Sequence, residues 1–255
     1  MEQTGHVEAG ALALAYVRRL FRVIRVTLHI FYGLLLAVFS GAFFNPYRPL
    51  VYRLTNHWLN ALLSILGIQI EMRGKPPERT MLIVANHVSW LDIPVLRASH
   101  GLYFLSKAEV RAWPLLGHLA AAAGTLFIRR GSGESGRKAA EIAGHLLQGR
   151  SVLVFPEGTS TDGQGVRRFF PQLFDAAIQA GLPVQPVAIH YPAPCGGADR
   201  DLAFIDDDAF HSHLWHLLLR DRIRVQLTWC VPIDGRGRQR DSLARESRDS
   251  ILGRL

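Results

Sequence analysis

A histidine and an aspartate five residues apart, His87 and Asp92, stand directly behind the apolar run MLIVA at 81–85. A carboxylate bound to one imidazole nitrogen fixes the tautomer and leaves the other nitrogen to take a proton, which is how a general base is built. On a regular helix of 3.6 residues per turn the two side chains would diverge by about 140°. They meet only if His87 lies in a loop and Asp92 in the first helical turn. The spacing alone does not demand this, because a chain with 11 histidines contains chance pairs. An aspartate N-cap beside a surface histidine reads the same way.

Two further segments could do chemistry. Phe155-Pro156-Glu157-Gly158-Thr159 ends another apolar run, SVLVF at 151–155. Gly158 would let backbone N–H groups approach a ligand, and Glu157 and Thr159 offer polar contacts at the same rim. A tight turn is the plainer alternative. Gly124-Thr125-Leu126-Phe127-Ile128-Arg129-Arg130 would deliver two guanidinium groups at a strand end, suited by charge and forked geometry to a phosphate. Its plainer alternative is a solvated strand end. Ser89 lies near His87, but no cysteine does. His211, His213 and His216 after Asp206-Asp207-Asp208 lack a companion cluster and read as a polar helix start. Cys195 and Cys230 make no zinc-like spacing, so no metal site is expected.

The elements that would hold these residues follow from the hydrophobic pattern. Short apolar runs recur at 68–72, 81–85, 102–106, 125–128, 151–155, 184–189 and 224–231. Helical patterns lie between several of them, at 90–99, 107–123, 135–148, 170–180, 209–219 and 240–254. This alternation predicts an α/β fold, a mostly parallel sheet flanked by helices, in which ligands gather at the carboxyl ends of strands. His87, Glu157 and Arg129 all follow such strands.

The first 66 residues differ. Val26 to Phe44 carries a single group that titrates near neutral pH, His29, and nineteen residues approach the roughly 20 needed to cross a bilayer core. Arg18, Arg19, Arg22 and Arg25 precede it and could bind anionic headgroups. A signal peptide is the competing reading, against which stand the length and late start of the run. Asn45-Pro46-Tyr47-Arg48-Pro49 reads as a turn. Val51, Leu54, Trp58, Leu59, Leu62 and Leu66 then recur at helical spacing, an amphipathic helix for the interface or for packing on the sheet. Two units follow: a membrane-associated helical pair, 1–66, and a domain over 67–255. With 49% hydrophobic and 20% charged residues the chain is too apolar to be disordered. Its formal charge of +8 favours an anionic partner such as a phospholipid surface, nucleic acid, acyl carrier protein or coenzyme A. The Arg-rich tail lacks the interleaved aromatics of a nucleic-acid site.

Taken in order, the segments resemble the motifs of the glycerolipid acyltransferase family, which includes bacterial 1-acyl-glycerol-3-phosphate acyltransferases. Asn86, His87 and Asp92 match Asn-His-x-x-x-x-Asp, and Gly124, Phe127, Ile128 and Arg130 match Gly-x-x-Phe-Ile-x-Arg. Phe155 to Thr159 match Phe-Pro-Glu-Gly-Thr-Arg, with Ser160 in place of the final arginine, and Leu182 to Val187 resemble a fourth, Val-Pro-type strand. The resemblance runs from about 80 to 190. It implies O-acyl transfer in phospholipid biosynthesis, from acyl-CoA or acyl carrier protein to the free hydroxyl of a lysolipid. His87 and Asp92 would be catalytic, and Lys107, Arg129, Arg130, Glu157, Gly158 and Thr159 would bind substrate. Backbone N–H groups near Gly158 would face the oxyanion. The expected acceptor is 1-acyl-glycerol-3-phosphate, giving phosphatidic acid. The alternatives are a lyso-ornithine lipid and a non-catalytic lipid-binding role. No cofactor is implied beyond the acyl donor. The expected location is the inner membrane, with the catalytic domain facing the cytoplasm.

Overall fold

A computed structural model describes residues 2–128, 135–205 and 208–255. Seven strands form one sheet: β1 Ile68–Arg73, β2 Leu82–Ala85, β3 Tyr103–Lys107, β4 Leu126–Ile128, β5 Val152–Val154, β6 Val184–His190 and β7 Ile223–Trp229. Their order is β1-β7-β6-β2-β5-β3-β4. Each apolar run of the sequence is a strand. All neighbouring pairs are parallel except β6 with β7, so β1 and β7 run against the rest and the sheet is mixed.

Alternation along the central strands feeds two cores. Ile83, Ala85, Val187 and Ile189 face one way and pack with Leu63 and Leu66 of α2 (Pro49–Leu66), Val95 and Leu96 of α3 (Asp92–His100) and Leu217. Leu82, Val84, Val152 and Val154 face the other way, against Ile142 and Leu146 of α5 (Ser135–Leu147), Ala177 of α6 (Asp175–Ala180) and Leu243 of α8 (Arg240–Leu252). Burial of both faces explains why these strands are apolar throughout instead of alternating with polar residues. The pattern at 107–123 becomes a 3-10 turn, Ala108–Ala112, and α4 (Leu116–Ala122). The break falls at Pro114, which cannot donate to a helix, and Leu115, held at φ 59°. Pro171 likewise turns the start of the 170–180 pattern into a 3-10 turn before α6. The helix α7, Phe210–Leu217, fills the 209–219 pattern.

The N-terminal helix α1 runs from Glu2 to Phe39, longer and earlier than the apolar run suggested. It ends where Ser40 and Gly41, the latter at φ 70°, reverse the chain, so Ala42, Phe43 and Phe44 form a turn and not the end of a span. Its stretch Ala13–Phe39 is long and apolar enough to cross a membrane, a candidate anchor, and Leu20, Phe21, Ile24, Leu28, Phe31 and Leu35 are exposed along it. Three of the four arginines expected to face headgroups instead dock α1 on the domain, while Arg25 stays exposed. Arg22 is buried and donates to the carbonyls of Leu218, Arg220 and Asp221, Arg18 donates to that of Leu219, and Arg19 lies over the Trp215 ring. These carbonyls belong to the turn between α7 (Phe210–Leu217) and β7, where no ladder or helix bond uses them. The α1–α2 pair is further joined by His29 and Trp58. Their rings stack, and each side-chain nitrogen bonds the other residue's backbone carbonyl at 2.9 Å.

Candidate active site

The loop between β2 and α3 begins with Asn86, whose buried amide takes the place of the next ladder rungs. Its Nδ2 donates to the Ile189 carbonyl at 2.9 Å, and its Oδ1 accepts from the Ile189 N–H at 2.8 Å. The loop is thereby fastened to β6. His87 to Ser89 carry no regular structure, and Asp92 is the first residue of α3, which is the condition the five-residue spacing required. The carboxylate sits at a helix N-terminus, where the dipole favours negative charge.

Asp92 is 0% exposed and is held from four directions. Its Oδ2 lies 2.7 Å from His87 Nδ1 and accepts the N–H groups of Val88 at 2.7 Å and Ser89 at 3.0 Å. Its Oδ1 accepts the Tyr191 hydroxyl at 2.6 Å. A carboxylate surrounded by donors assigns the imidazole proton to Nδ1, leaving Nε2 as the nitrogen able to accept one. The His87 ring stacks on Phe155 with centroids 4.0 Å apart, and 20% of its side chain is open to solvent. Tyr191 is 1% exposed, and burial together with the Asp92 charge holds its phenol well above the usual range, so it remains a donor. Sequence reasoning missed Tyr191. The signal available was its place just beyond an apolar strand, without any spacing that ties it to Asp92.

Glu157 does not face outward as expected. It is 4% exposed, and its two oxygens accept the backbone N–H groups of His87 at 2.8 Å and Arg167 at 2.7 Å. Burial pushes this carboxyl above the usual glutamate range, against the pull of those two N–H groups. Its work in this geometry is to position the His87 peptide. The Gly158 N–H is likewise taken, by the Phe155 carbonyl at 3.1 Å, so it is not an oxyanion donor as it stands. Gly158 turns the chain at φ 75°, and a Cβ there would come within 2.8 Å of the Phe170 ring. Thr159 is half-buried on the same turn. Ser160 donates to the Phe204 carbonyl, and the Thr161 N–H (2.8 Å) and hydroxyl (3.2 Å) both donate to the His87 carbonyl. Both backbone polar groups of His87 are therefore fixed by the Glu157–Thr161 segment. Lys107 closes β3; its side chain, together with Arg129 and Arg130, lies outside the described residues.

Ser89 is fully buried, which keeps it from acting as a nucleophile. Of the histidines after residue 210, His211 and His216 are exposed and His213 is buried. His213 accepts the Trp90 indole N–H at 3.0 Å, and among the described residues no cluster could hold a metal ion. An apolar cavity of about 260 Å3 opens between the helical pair and the domain. Trp90, Ile93 and Pro94, from the segment that carries His87 and Asp92, line it, opposite Gly33, Trp58 and Leu62. A buried carboxylate–imidazole pair beside an apolar channel can deprotonate a hydroxyl on a molecule with a long hydrocarbon chain.

Comparison with known proteins identifies the family. Residues 68–190 match the family model described as Acyltransferase. The chain is 48% identical to a lyso-ornithine lipid O-acyltransferase of Pseudomonas aeruginosa over 203 residues, 80% of this chain and 78% of that protein. It is 31% identical to a 1-acyl-sn-glycerol-3-phosphate acyltransferase of Neisseria meningitidis, over 74% of this chain and 76% of that one. The crystal structure of the 1-acyl-sn-glycerophosphate acyltransferase of Thermotoga maritima superposes with a TM-score of 0.69 at 22% identity, covering 96% of this chain and 95% of that one. This last likeness bears on the fold alone.

Proposed function

This chain belongs to the acyltransferase family and is an acyltransferase of lysolipid type, and from that premise we propose that it esterifies the free hydroxyl of a lyso-ornithine lipid, with His87 as general base. The observation that carries the mechanism is the fourfold-held Asp92 bonded to His87 Nδ1. His87 Nε2 takes the proton of the acceptor hydroxyl as its oxygen attacks the thioester carbonyl of acyl-CoA or acyl carrier protein. The tetrahedral intermediate collapses, the C–S bond breaks, and the departing thiolate recovers the proton from the imidazolium. Asp92 keeps the tautomer and stabilises the imidazolium, as a carboxylate orienter does. The donor thioester is the only co-substrate this scheme uses. Asn86, Glu157 and Tyr191 position the pair, and Lys107, Arg129, Arg130 and Thr159 remain proposed contacts to the acceptor head. The apolar cavity suits an acyl chain.

The acceptor reading is supported by the relatives. The Pseudomonas protein named for lyso-ornithine lipid shares more identity over more residues than the Neisseria protein named for 1-acyl-glycerol-3-phosphate. Ser160, placed where the family motif has arginine, points the same way, because it supplies no charge for a phosphate. The exposed apolar face of α1 anchors the protein in the cytoplasmic membrane, with the domain on the cytoplasmic side where both donors occur. The test is transfer by the purified full-length protein from each donor to a panel of lysolipids, read as thiol release and ester product. Ornithine lipid as the main product supports the reading; phosphatidic acid as the main product overturns the acceptor.

A further inference from the structure

We propose that the polar groove beside His87 is a receptor for a zwitterionic headgroup, with Asp162 taking its ammonium and Arg167 its carboxylate. The groove has a volume of about 420 Å3 and is lined by Thr161, Asp162, Gly165, Val166, Arg167 and Ile205. This assignment deepens the acceptor reading above and rests on it.

Both charged walls are fastened to the catalytic histidine. Thr161, the neighbour of Asp162, donates from its N–H and its hydroxyl to the His87 carbonyl. The Arg167 and His87 N–H groups share one carboxylate, that of Glu157, so the two peptides lie one side chain apart. The floor is fixed as well, since Arg248 of α8 donates from Nε and Nη2 to the Val166 carbonyl at 3.0 and 2.8 Å. A headgroup in the groove therefore lies at a set distance from the base, and the acceptor hydroxyl is brought to His87 by binding elsewhere on the same molecule.

The charges select the class of head. Among the described residues the Arg167 guanidinium has no hydrogen-bond or ion-pair partner of its own, and its exposed fork suits a carboxylate or a phosphate equally. Asp162 makes the distinction. Its Oδ1 accepts the Gln164 N–H at 3.1 Å, and its Oδ2 meets Arg200 at 3.2 Å in a solvent-exposed pair. Exposed pairs are weak and screened, so an ammonium can exchange with Arg200, whereas a phosphate monoester at Arg167 brings its charge towards a carboxylate. Ornithine linked through its α-amine keeps one ammonium and one carboxylate on separate arms, which matches the two walls.

The experiment compares kcat/KM for lyso-ornithine lipid and for 1-acyl-glycerol-3-phosphate in mixed micelles, using full-length wild type, Asp162→Asn, Arg167→Gln and Arg200→Gln. Asp162→Asn should lower the ornithine-to-phosphate preference about three- to tenfold, the range for one partly exposed charged contact. Arg167→Gln should weaken both acceptors, and Arg200→Gln should keep or raise the preference for the zwitterion. A preference unchanged within about twofold in folded Asp162→Asn overturns the receptor while leaving the acceptor reading intact. An equal loss of preference in Arg200→Gln also overturns it, because the Asp162–Arg200 pair would then be shaping the loop only. Wild type inactive on lyso-ornithine lipid overturns both readings together.

Discussion

Replacing Tyr191 by phenylalanine removes one oxygen from the most enclosed part of the site. The ring is 1% exposed and its packing survives the change, so the perturbation is confined to the 2.6 Å hydrogen bond on Asp92 Oδ1. A hydrogen bond to a charged group contributes about 1.5–3 kcal/mol. If all of that is felt in the transition state, where the imidazolium leans on the carboxylate, kcat falls about ten- to a hundredfold. Three donors remain on Oδ2, so the expected loss is near the low end, about tenfold. Tyr191 is 1% exposed and out of a substrate's reach, so KM for donor and acceptor should stay at wild-type values. The assay is steady-state thiol release with both substrates varied, beside circular dichroism and thermal unfolding to establish the fold. Wild-type kcat in a folded Tyr191→Phe protein would refute the claim that the buried network tunes the base, and a rise in KM without a fall in kcat would refute it equally.

The other predictions concern the supports of the site. Because burial raises the Glu157 carboxyl, its contribution to folding is fully present below the ordinary value of 4.5 and is lost as pH rises through the raised one. Glu157→Gln should therefore lose its disadvantage as pH climbs from 4.5, the urea midpoints of wild type and variant converging; parallel curves would contradict this. Deleting residues 1–66 takes Val26, Leu63, Ile65 and Leu66 out of the domain core, a loss on the order of 5–10 kcal/mol and comparable with whole-domain stability. The remainder should aggregate or fail to fold, and a soluble, cooperatively unfolding 67–255 fragment would show the helical pair to be dispensable. A Cβ at Gly33 would fall 2.5 Å from Trp58 Nε1, so Gly33→Ala should push the indole into the apolar cavity and shift transfer towards shorter acyl donors. An unaltered chain-length profile would place the acyl chain elsewhere.

Much of the fold was legible because a doubly buried strand cannot hide its apolar run, and the seven runs are the seven strands. Strand direction was not legible at β7, since 223–229 reads alike in either orientation and it runs antiparallel to β6 although the helix α7 lies between them. The extent of α1 was misread because Arg18, Arg22 and Arg25 resembled a charged flank. Their i, i+4, i+7 spacing is a helix face, and that signal was present. His87 and Asp92 could be found because both lie in one loop-to-helix segment. Tyr191 could not, because its contact exists only once β6 lies beside β2. Glu157 was taken for a ligand to substrate, since nothing local reveals that two backbone N–H groups from separate segments turn towards it.

The proposed proton removal by His87 is the step on which the rest depends, and single-turnover acyl transfer by purified His87→Ala tests it most directly. The variant loses the base and keeps the Asn86 clasp, the Glu157 and Thr161 bonds to the backbone, and the apolar cavity. With wild-type membrane association and unfolding behaviour, its transfer rate should fall about 10²–10⁴-fold, the usual contribution of a general base. A folded His87→Ala protein that acylates lysolipid at a rate near wild type would contradict the mechanism.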